Sequence, residues 1–232
     1  MTRHFTIDPC EALLDRPVWN ALTSRLSDIS IPVGSARMMH EDTSPLAAAA
    51  SGSQNDMQDF AAMVAQKGAP VLTLERETPV CPLVQGPKEQ VGGVQMIGVR
   101  PATPKDRYRI HDLRPDDAAE MFDLAARTKP GPFERNTHTM GDFIGIRRAG
   151  HLVAMAGQRL KLPGYTEISA VCVDSGHRGC GMAADLIRHM CQRIIAEGDV
   201  PFLHTYANNR TAIELYEHLG FEIRTQMEVA LW

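Results

Sequence analysis

The chain has 232 residues, 44% hydrophobic and 22% charged, so it can bury the core of one large domain or of two modest ones. Its formal net charge of −4, without a basic stripe, argues against nucleic-acid binding. The sequence has no apolar run of ~18 residues and no signal-peptide core, which predicts neither a membrane span nor secretion. Five cysteines without C-x-x-C pairs and nine histidines without ligand spacing argue against disulfides and metal sites, so a cytoplasmic protein is expected.

The first hundred residues predict short elements joined by irregular segments. The segment RPVWNALTSRL places Val18, Leu22 and Leu26 at helical spacing, behind a proline that suits a first helical turn. One further helix and two strands follow, and the connections between them are rich in Ser, Ala, Pro and Gly. The helix is expected at residues 56–66, the strands at 71–75 and 94–99, and the irregular segments at 42–56, 79–93 and 100–107.

From residue 110 onward the pattern of strands and helices becomes regular. Pro115 suits the first turn of a helix that runs to Arg127, and the strand Leu152–Leu162 is apolar on both faces, which suggests a central position in a sheet. The mixed order of elements predicts an α/β or α+β layer fold. Further strands are expected at residues 143–147, 167–173, 201–206 and 221–229, and helices at 179–197 and 209–219.

The first chemically informative segment is Val171–Ala183, with the sequence VCVDSGHRGCGMA. An apolar strand passes through a glycine-bearing turn into a helix, which leaves backbone N–H groups free at the positive end of the helix dipole. Such a turn can hold a diphosphate, because Gly179 and Gly181 keep side chains away from it and Arg178 adds positive charge. Taken alone, the turn is more simply a steric connection, since it matches neither a Walker loop nor G-x-G-x-x-G.

The second informative segment is Asn208–Phe221, with the sequence NNRTAIELYEHLGF. An apolar stripe predicts a short helix, and Gly220 suits its C-terminal cap. Taken alone, Asn209 is interpreted as the N-cap of this helix and Tyr216 as a residue beside its core. The apolar stripe consists of Ala212, Leu215 and Leu219.

Together the two segments resemble the GCN5-related N-acetyltransferase (GNAT) superfamily. Its motifs match as R-x-x-G-x-A at Arg178–Ala183 and as N-x-x-A-x-x-L-Y-x-x-L-G-F at Asn209–Phe221, and the phrases LVAMAG and PGYTEISAV resemble the FR47-like subgroup. The resemblance covers residues 110–230. It implies the GNAT fold, a mixed central sheet flanked by helices, with a catalytic domain at residues 108–232 and a separate N-terminal region at residues 1–107.

The resemblance also implies an enzyme that transfers the acetyl group of acetyl-CoA directly to a primary amine, in a ternary complex and without a metal. The strand at 167–173 would hold the pantetheine arm through its backbone, provided that it splays from the strand at 201–206. Tyr216 would be the general acid at the thioester sulfur, and a backbone N–H of Val173 or a neighbour would hold the developing negative charge. The residues implied to contact the cofactor are Val171, Cys172, Val173, Arg178, Gly179, Cys180, Gly181, Met182, Ala183, Ala184 and Asn209.

The base that takes the proton of the amine is left open between water and two side chains. His204 lies where N-terminal acetyltransferases of ribosomal proteins carry a glutamate, and a histidine can act as a base at neutral pH. Glu167, at the start of the preceding strand, is the second candidate, although a lone His or Glu at a strand end is usually structural. Cys172 has no activating base in the sequence, so it is interpreted as a small buried apolar residue.

Residues 1–107 contain no second R-x-x-G-x-A motif. With two helices and two strands they are interpreted as a degenerate half-domain that shares a sheet edge with the catalytic half, and a cap over the acceptor site is the alternative. Two rival functions stay open: a binding module that retains the CoA fold without turnover, and an acyltransferase of the same fold for a longer acyl-CoA. The sequence leaves open which small-molecule or peptide amine is the acceptor, and also the oligomeric state, a homodimer included.

Overall fold

The computed structural model describes residues 11–76 and 87–232, which form a mixed sheet of eight strands and an antiparallel sheet of three. The strands are β1 (Ser30–Val33), β2 (Ala36–Met39), β3 (Ala47–Ala48), β4 (Leu72–Glu75), β5 (Glu89–Gly98), β6 (His111–Leu113), β7 (Phe143–Arg148), β8 (His151–Leu162), β9 (Tyr165–Val173), β10 (Val200–Tyr206) and β11 (Phe221–Leu231). The larger sheet has the order β4-β11-β5-β10-β9-β8-β7-β6, and β9 and β10 are parallel neighbours within it. The mixed central sheet predicted from the sequence is confirmed.

Helices lie on both faces of this sheet. The α-helices are α1 (Pro17–Leu22), α2 (Gln54–Lys67), α3 (Ala118–Thr128), α4 (Met182–Ala196) and α5 (Arg210–His218). On β7, Ile144 packs into the core under α4, whereas the adjacent Phe143 packs under α3. On β10, Leu203 and Phe202 divide in the same way between the cores of α4 and α1. Because successive strand residues point to opposite faces, α1 and α3 cover one face and α4 covers the other.

Strands from the first hundred residues lie inside the same sheet as the later ones. β5 is paired on one side with β10 and on the other with β11, and β4 pairs with the outer edge of β11. The expected domain boundary between residues 107 and 108 would therefore divide the strands of one continuous sheet. The interpretation of the N-terminal region as a degenerate half-domain stays a prediction.

The small sheet β1-β2-β3 and helix α2 pack against the C-terminal end of the chain. The ring of Phe60 on α2 meets the ring of Trp232 edge to face, with centroids 5.3 Å apart. Helix α2 begins behind Ser53, whose hydroxyl accepts a hydrogen bond from the Asp56 N–H, and ends at Gly68 in the left-handed conformation. The end of the chain is thus fixed against a helix of the N-terminal region.

Several element boundaries differ from the sequence-based expectations. Helix α4 begins at Met182 instead of residue 179, because Gly179 and Gly181 have φ of +76° and +82°. Strand β5 begins at residue 89 instead of 94, and the expected loop at 42–56 contains β3 and the first turn of α2. The expected linker at 100–107 is docked at its start, where Arg100 N–H donates to the Gly220 carbonyl at 3.1 Å.

Some sequence features lie outside the described residues. They include Cys10, Cys81, residues 79–86 of the stretch rich in Pro and Gly, and the first ten residues of the segment inspected for a signal peptide. Among the helices of residues 11–76 and 87–232, none combines the length and the apolar character needed to cross a bilayer.

Candidate active site

The turn between β9 and α4 presents a row of unpaired backbone amides. Within residues 11–76 and 87–232, none of the N–H groups from Arg178 to Ala184 donates a hydrogen bond to another residue. The first internal bond of α4 runs from Asp185 N–H to the Gly181 carbonyl at 3.1 Å. The free donors therefore lie at the N-terminus of a helix of 15 residues, where the helix dipole adds partial positive charge.

Two glycines keep this turn open. A Cβ built on Gly179 would meet nothing within 4 Å, so the space beside its amide is free for a ligand. A Cβ on Gly181 would lie 3.6 Å from Arg107 Nη1, which brings a second guanidinium to the turn beside that of Arg178. The hydroxyl of Tyr108 donates to the Cys180 carbonyl at 2.6 Å and fixes the turn from outside. These residues fit the diphosphate of coenzyme A, since free amides and two arginines converge where no side chain fills the space.

Arg107 and Tyr108 were missed by the sequence analysis, which assigned residues 100–107 to a linker. No local pattern connects them with a turn more than 70 residues away, because only the fold brings them there. Arg178 points partly back toward the sheet, where its Nε donates to the Val173 carbonyl at 3.2 Å. Its side chain thus links the turn to the end of β9.

Strand β9 separates from β10 after its first three residues. The two strands pair from Tyr165 opposite Val200 to Glu167 opposite Phe202, and no pairing follows among the described residues. The splay that the sequence analysis required is therefore present. The separation exposes one edge of residues 168–173 to a cavity. A strand needs such an open edge to hydrogen-bond an extended ligand arm.

A β-bulge lies in this open part of β9. Ser169 is opposite Gly157 and Cys172 is opposite Met155, so two residues of β9, Ala170 and Val171, face one residue of β8. Ala170 has φ of +52°, which an L-residue other than glycine rarely adopts. Because the extra residue of a bulge is left out of the ladder, backbone groups are freed beside the cavity. No residue pattern predicts this bulge, since alanine rarely adopts positive φ.

Helix α5 forms the opposite side of the cleft. The side chain of Asn209 accepts a hydrogen bond from Ala212 N–H at 3.2 Å, which is the expected N-cap, and the residue also lines the cavity. The predicted apolar stripe is only partly buried: Leu219 is covered by the core, whereas Ala212 and Leu215 face the cavity. The motif at Asn209–Phe221 thus forms part of the cavity wall as well as a helix.

Tyr216 lines the same cavity, and its ring centroid lies 6.2 Å from that of Phe221. Burial raises the pKa of the Tyr216 phenol to about 12, because ionisation would place a charge away from water. The phenol is therefore protonated throughout the neutral range and is available as a hydrogen-bond donor. Burial also raises the pKa of the Cys172 thiol to about 11, which leaves little thiolate for nucleophilic attack.

The two residues considered as bases contact each other. His204 Nδ1 lies 2.7 Å from a carboxylate oxygen of Glu167, and Arg159 makes two hydrogen bonds to the same carboxylate, at 2.8 and 2.6 Å. Glu167 is fully buried. Burial alone would raise the pKa of Glu167, but Arg159 and His204 outweigh it and lower the pKa to about 2. So weak a base is a poor acceptor for the proton of an amine.

The other ring nitrogen of His204 is also occupied. Its Nε2 lies 2.9 Å from Gln95 Nε2, and that amide donates a second bond to the Leu14 carbonyl at 2.8 Å. The Gln95 oxygen accepts from Arg224 at 3.0 Å, so its amide orientation is set from both ends. The bonds assign the proton of His204 to Nδ1 and make Nε2 an acceptor for Gln95. Neither Gln95 nor Arg224 was found from the sequence.

A cavity of about 670 Å³ joins these features. Its lining includes the turn, residues 168–173 of β9, Tyr216, the loop at residues 128–132, and side chains of β4 and β11. Of the sequence-predicted residues, Cys180 and Glu167 are absent from its lining. His204 reaches the cavity, together with Arg159.

Comparisons with known proteins agree with this geometry. A family model described as FR47-like protein matches residues 143–230. The crystal structure of an acetyltransferase from the GNAT family of Novosphingobium aromaticivorans is 37% identical, with a TM-score of 0.86 and coverage of 94% of this chain and 96% of that one. The chain belongs to the GNAT family.

Two further acetyltransferases resemble this chain, one in fold and one in sequence. A GCN5-related N-acetyltransferase from Kribbella flavida covers 92% of this chain and 95% of its own, with a TM-score of 0.62, and at 14% identity it supports the fold alone. N-alpha-acetyltransferase RimI of Mycobacterium tuberculosis is 29% identical over 124 residues, which are 52% of this chain and 75% of that protein. The Novosphingobium protein matches this chain over nearly its full length, whereas the Mycobacterium protein matches about half of it.

Proposed function

We propose that this GNAT protein transfers the acetyl group of acetyl-CoA to a primary amine by direct attack in a ternary complex. The observation that carries the proposal is the row of unpaired amides from Arg178 to Ala184, beside a cavity that Tyr216 also lines. An anion site, an open strand edge and a proton donor along one cleft suit a long phosphorylated thioester. GNAT membership supports the same co-substrate.

The residues divide into a holding part and a reacting part. The amides of the turn, with Arg178 and Arg107, would hold the diphosphate, and the open edge of β9 would hold the pantetheine arm. When bound, acetyl-CoA supplies a thioester whose carbonyl carbon an amine can attack. Freed backbone groups at Ala170 and Val171 would stabilise negative charge on that carbonyl oxygen, two or three residues before the position expected from the sequence.

Tyr216 would donate a hydrogen bond to the sulfur as it leaves. With a phenol pKa of about 12, above the ~8.5 of an ordinary thiol, the hydroxyl stabilises a thiolate by hydrogen bonding more readily than by complete proton transfer. Cys172 would act as part of the strand and not as an acyl carrier, because its raised pKa keeps it a thiol. A direct transfer to the amine follows from this assignment.

Neither Glu167 nor His204 is proposed as the base that receives the proton of the amine. Glu167 is held as a carboxylate by Arg159, and the acceptor nitrogen of His204 is engaged by Gln95. We propose that Arg159, Glu167 and His204 position β9 against β10 at the point where the strands separate. The amine would lose its proton to water in the cavity.

The proposal is tested by measuring CoA release. Purified protein is mixed with acetyl-CoA and a panel of amines, amino-acid amides and short peptides, and free thiol is followed with a chromogenic disulfide. Amine-dependent thiol release, with an acetylated product of the expected mass, supports the proposal. Binding of acetyl-CoA in calorimetry without thiol release across the panel would instead identify a binding module.

A further inference from the structure

One part of the cavity lining consists of apolar side chains from residue 46, from β4 and from β11. We name this surface the apolar wall, and it consists of Leu46, Leu72, Leu74, Met227 and Val229. Resting on the function proposed above, we infer that the acceptor amine carries an uncharged apolar group, which the apolar wall receives. The acceptor class would be amines or amino-terminal residues with a branched or long aliphatic side chain.

The apolar wall is built by strand pairing and is thus a fixed part of the sheet. Val229 on β11 lies opposite Leu74 on β4, and Met227 lies two residues along the same face. Leu46 forms an isolated bridge with Leu72, whose N–H donates to the Pro45 carbonyl at 2.9 Å. Segments far apart in sequence are therefore locked together to face one space.

A glycine keeps the space in front of the apolar wall clear. Gly93 on β5 lies opposite Met227 and also lines the cavity. A Cβ at this position would lie 3.3 Å from the Thr205 carbonyl oxygen and 3.9 Å from Met227 Cβ, so a side chain here would occupy the space beside Met227. The opening beside Met227 thus depends on the absence of a side chain at Gly93.

Arg159 in the cavity lining and Glu75 at the end of β4 are both paired. Arg159 is bonded twice to Glu167, and the carboxylate of Glu75, at the end of β4, is bonded to Arg16. A charged acceptor group placed against the apolar wall would leave water for contact with aliphatic side chains, which disfavours it. An apolar group gains from the same burial.

The apolar wall could also serve the acyl group, so the experiment separates the two sources of an aliphatic chain. Leucinamide and asparaginamide are compared, because their side chains are similar in size and differ in polarity. Each amide is measured in turnover with acetyl-CoA and in calorimetric binding to the protein saturated with CoA. We expect a preference for leucinamide of about 10-fold to 100-fold in both kcat/KM and Kd.

The variant Val229→Thr keeps the shape of the side chain and adds a hydroxyl to the apolar wall. It should reduce the leucinamide preference about fivefold to tenfold and leave acetyl-CoA binding unchanged. Val99→Thr is the matched control, since Val99 is half exposed and outside the cavity lining, and the preference should stay as in the wild type.

The inference is overturned if both amides bind CoA-saturated protein equally well, or if asparaginamide binds more tightly. It is also overturned if Val229→Thr alters the ratio of hexanoyl-CoA to acetyl-CoA turnover and leaves the amide preference intact, because the apolar wall would then serve the acyl chain. A binding preference for leucinamide without any turnover would support the apolar wall and contradict acetyl transfer.

Discussion

Replacement of Tyr216 by phenylalanine removes one hydroxyl from a residue that lines the cavity and leaves the packed ring in place. The hydroxyl is proposed to donate a hydrogen bond to the leaving sulfur as negative charge develops there. Hydrogen bonds to charged groups contribute about 1.5–3 kcal/mol, and each 1.36 kcal/mol of barrier is tenfold in rate. We therefore expect Tyr216→Phe to lower kcat about 10-fold to 150-fold.

The assay is steady-state CoA release at saturating acetyl-CoA, with acetyl-CoA affinity measured separately by calorimetry. Affinity should change less than about twofold, because the interaction strengthens only as charge develops. Burial raises the pKa of Tyr216 to about 12, so the phenol stays protonated across pH 6–9 and the loss of rate should be uniform over that range.

Tyr206→Phe is the control, because Tyr206 also lines the cavity but lies on the exposed end of β10. Its kcat should stay within about threefold of the wild type, since the proposal gives the Tyr206 hydroxyl no hydrogen bond to the leaving sulfur. Wild-type kcat in Tyr216→Phe would refute the assignment of the donor. A fall in kcat of equal size in both variants would show that the cavity merely needs hydroxyl groups.

Two further predictions concern buried groups of the same site. Glu167→Gln leaves Arg159 without its carboxylate and should lower the free energy of unfolding by about 3–5 kcal/mol in urea denaturation, and a loss below ~1 kcal/mol would contradict the buried pair. Because the pKa of Glu167 is lowered from 4.5 to about 2, its stabilisation is complete above pH 4.5 and is lost as the pH falls toward 2, so the variant should lack that part of the acid destabilisation. Cys172→Ala should keep kcat within about threefold, since the pKa of the thiol, about 11, makes it a poor nucleophile; abolished thiol release with intact acetyl-CoA binding would point to an acyl-cysteine.

The phosphate-binding turn could be predicted because glycine carries its own conformational signal. Gly179 and Gly181 both adopt positive φ, and the motif that contains them indicated a turn before a helix. Gly220 is explained in the same way: it has φ of +87°, and a Cβ there would lie 1.9 Å from the carbonyl oxygen of Arg100. Local chemistry at these positions determines local structure, so the sequence alone reveals it.

Features assembled from distant segments could not be predicted. Gln95 contacts His204 across 109 residues of sequence and Arg224 across 129, and no periodicity specifies which strands become neighbours. The apolar wall has the same origin, because β4 and β11 meet only through the order of the sheet. The positive φ of Ala170 has no sequence signal at all, since its backbone is fixed by the surrounding strands.

The central claim is that unpaired amides around Gly179 bind the diphosphate of coenzyme A. The most direct test is to titrate two variants, Gly179→Glu and Gly198→Glu, with CoA in a calorimeter and to compare their affinities. Both glycines have positive φ, +76° and +88°, and neither has an atom within 4 Å of a built Cβ, so the two variants carry the same backbone strain at opposite ends of α4. Gly179→Glu should weaken CoA binding about 100-fold or more, because a carboxylate enters the anion site, whereas Gly198→Glu should bind as the wild type does. Wild-type affinity in Gly179→Glu would contradict the claim.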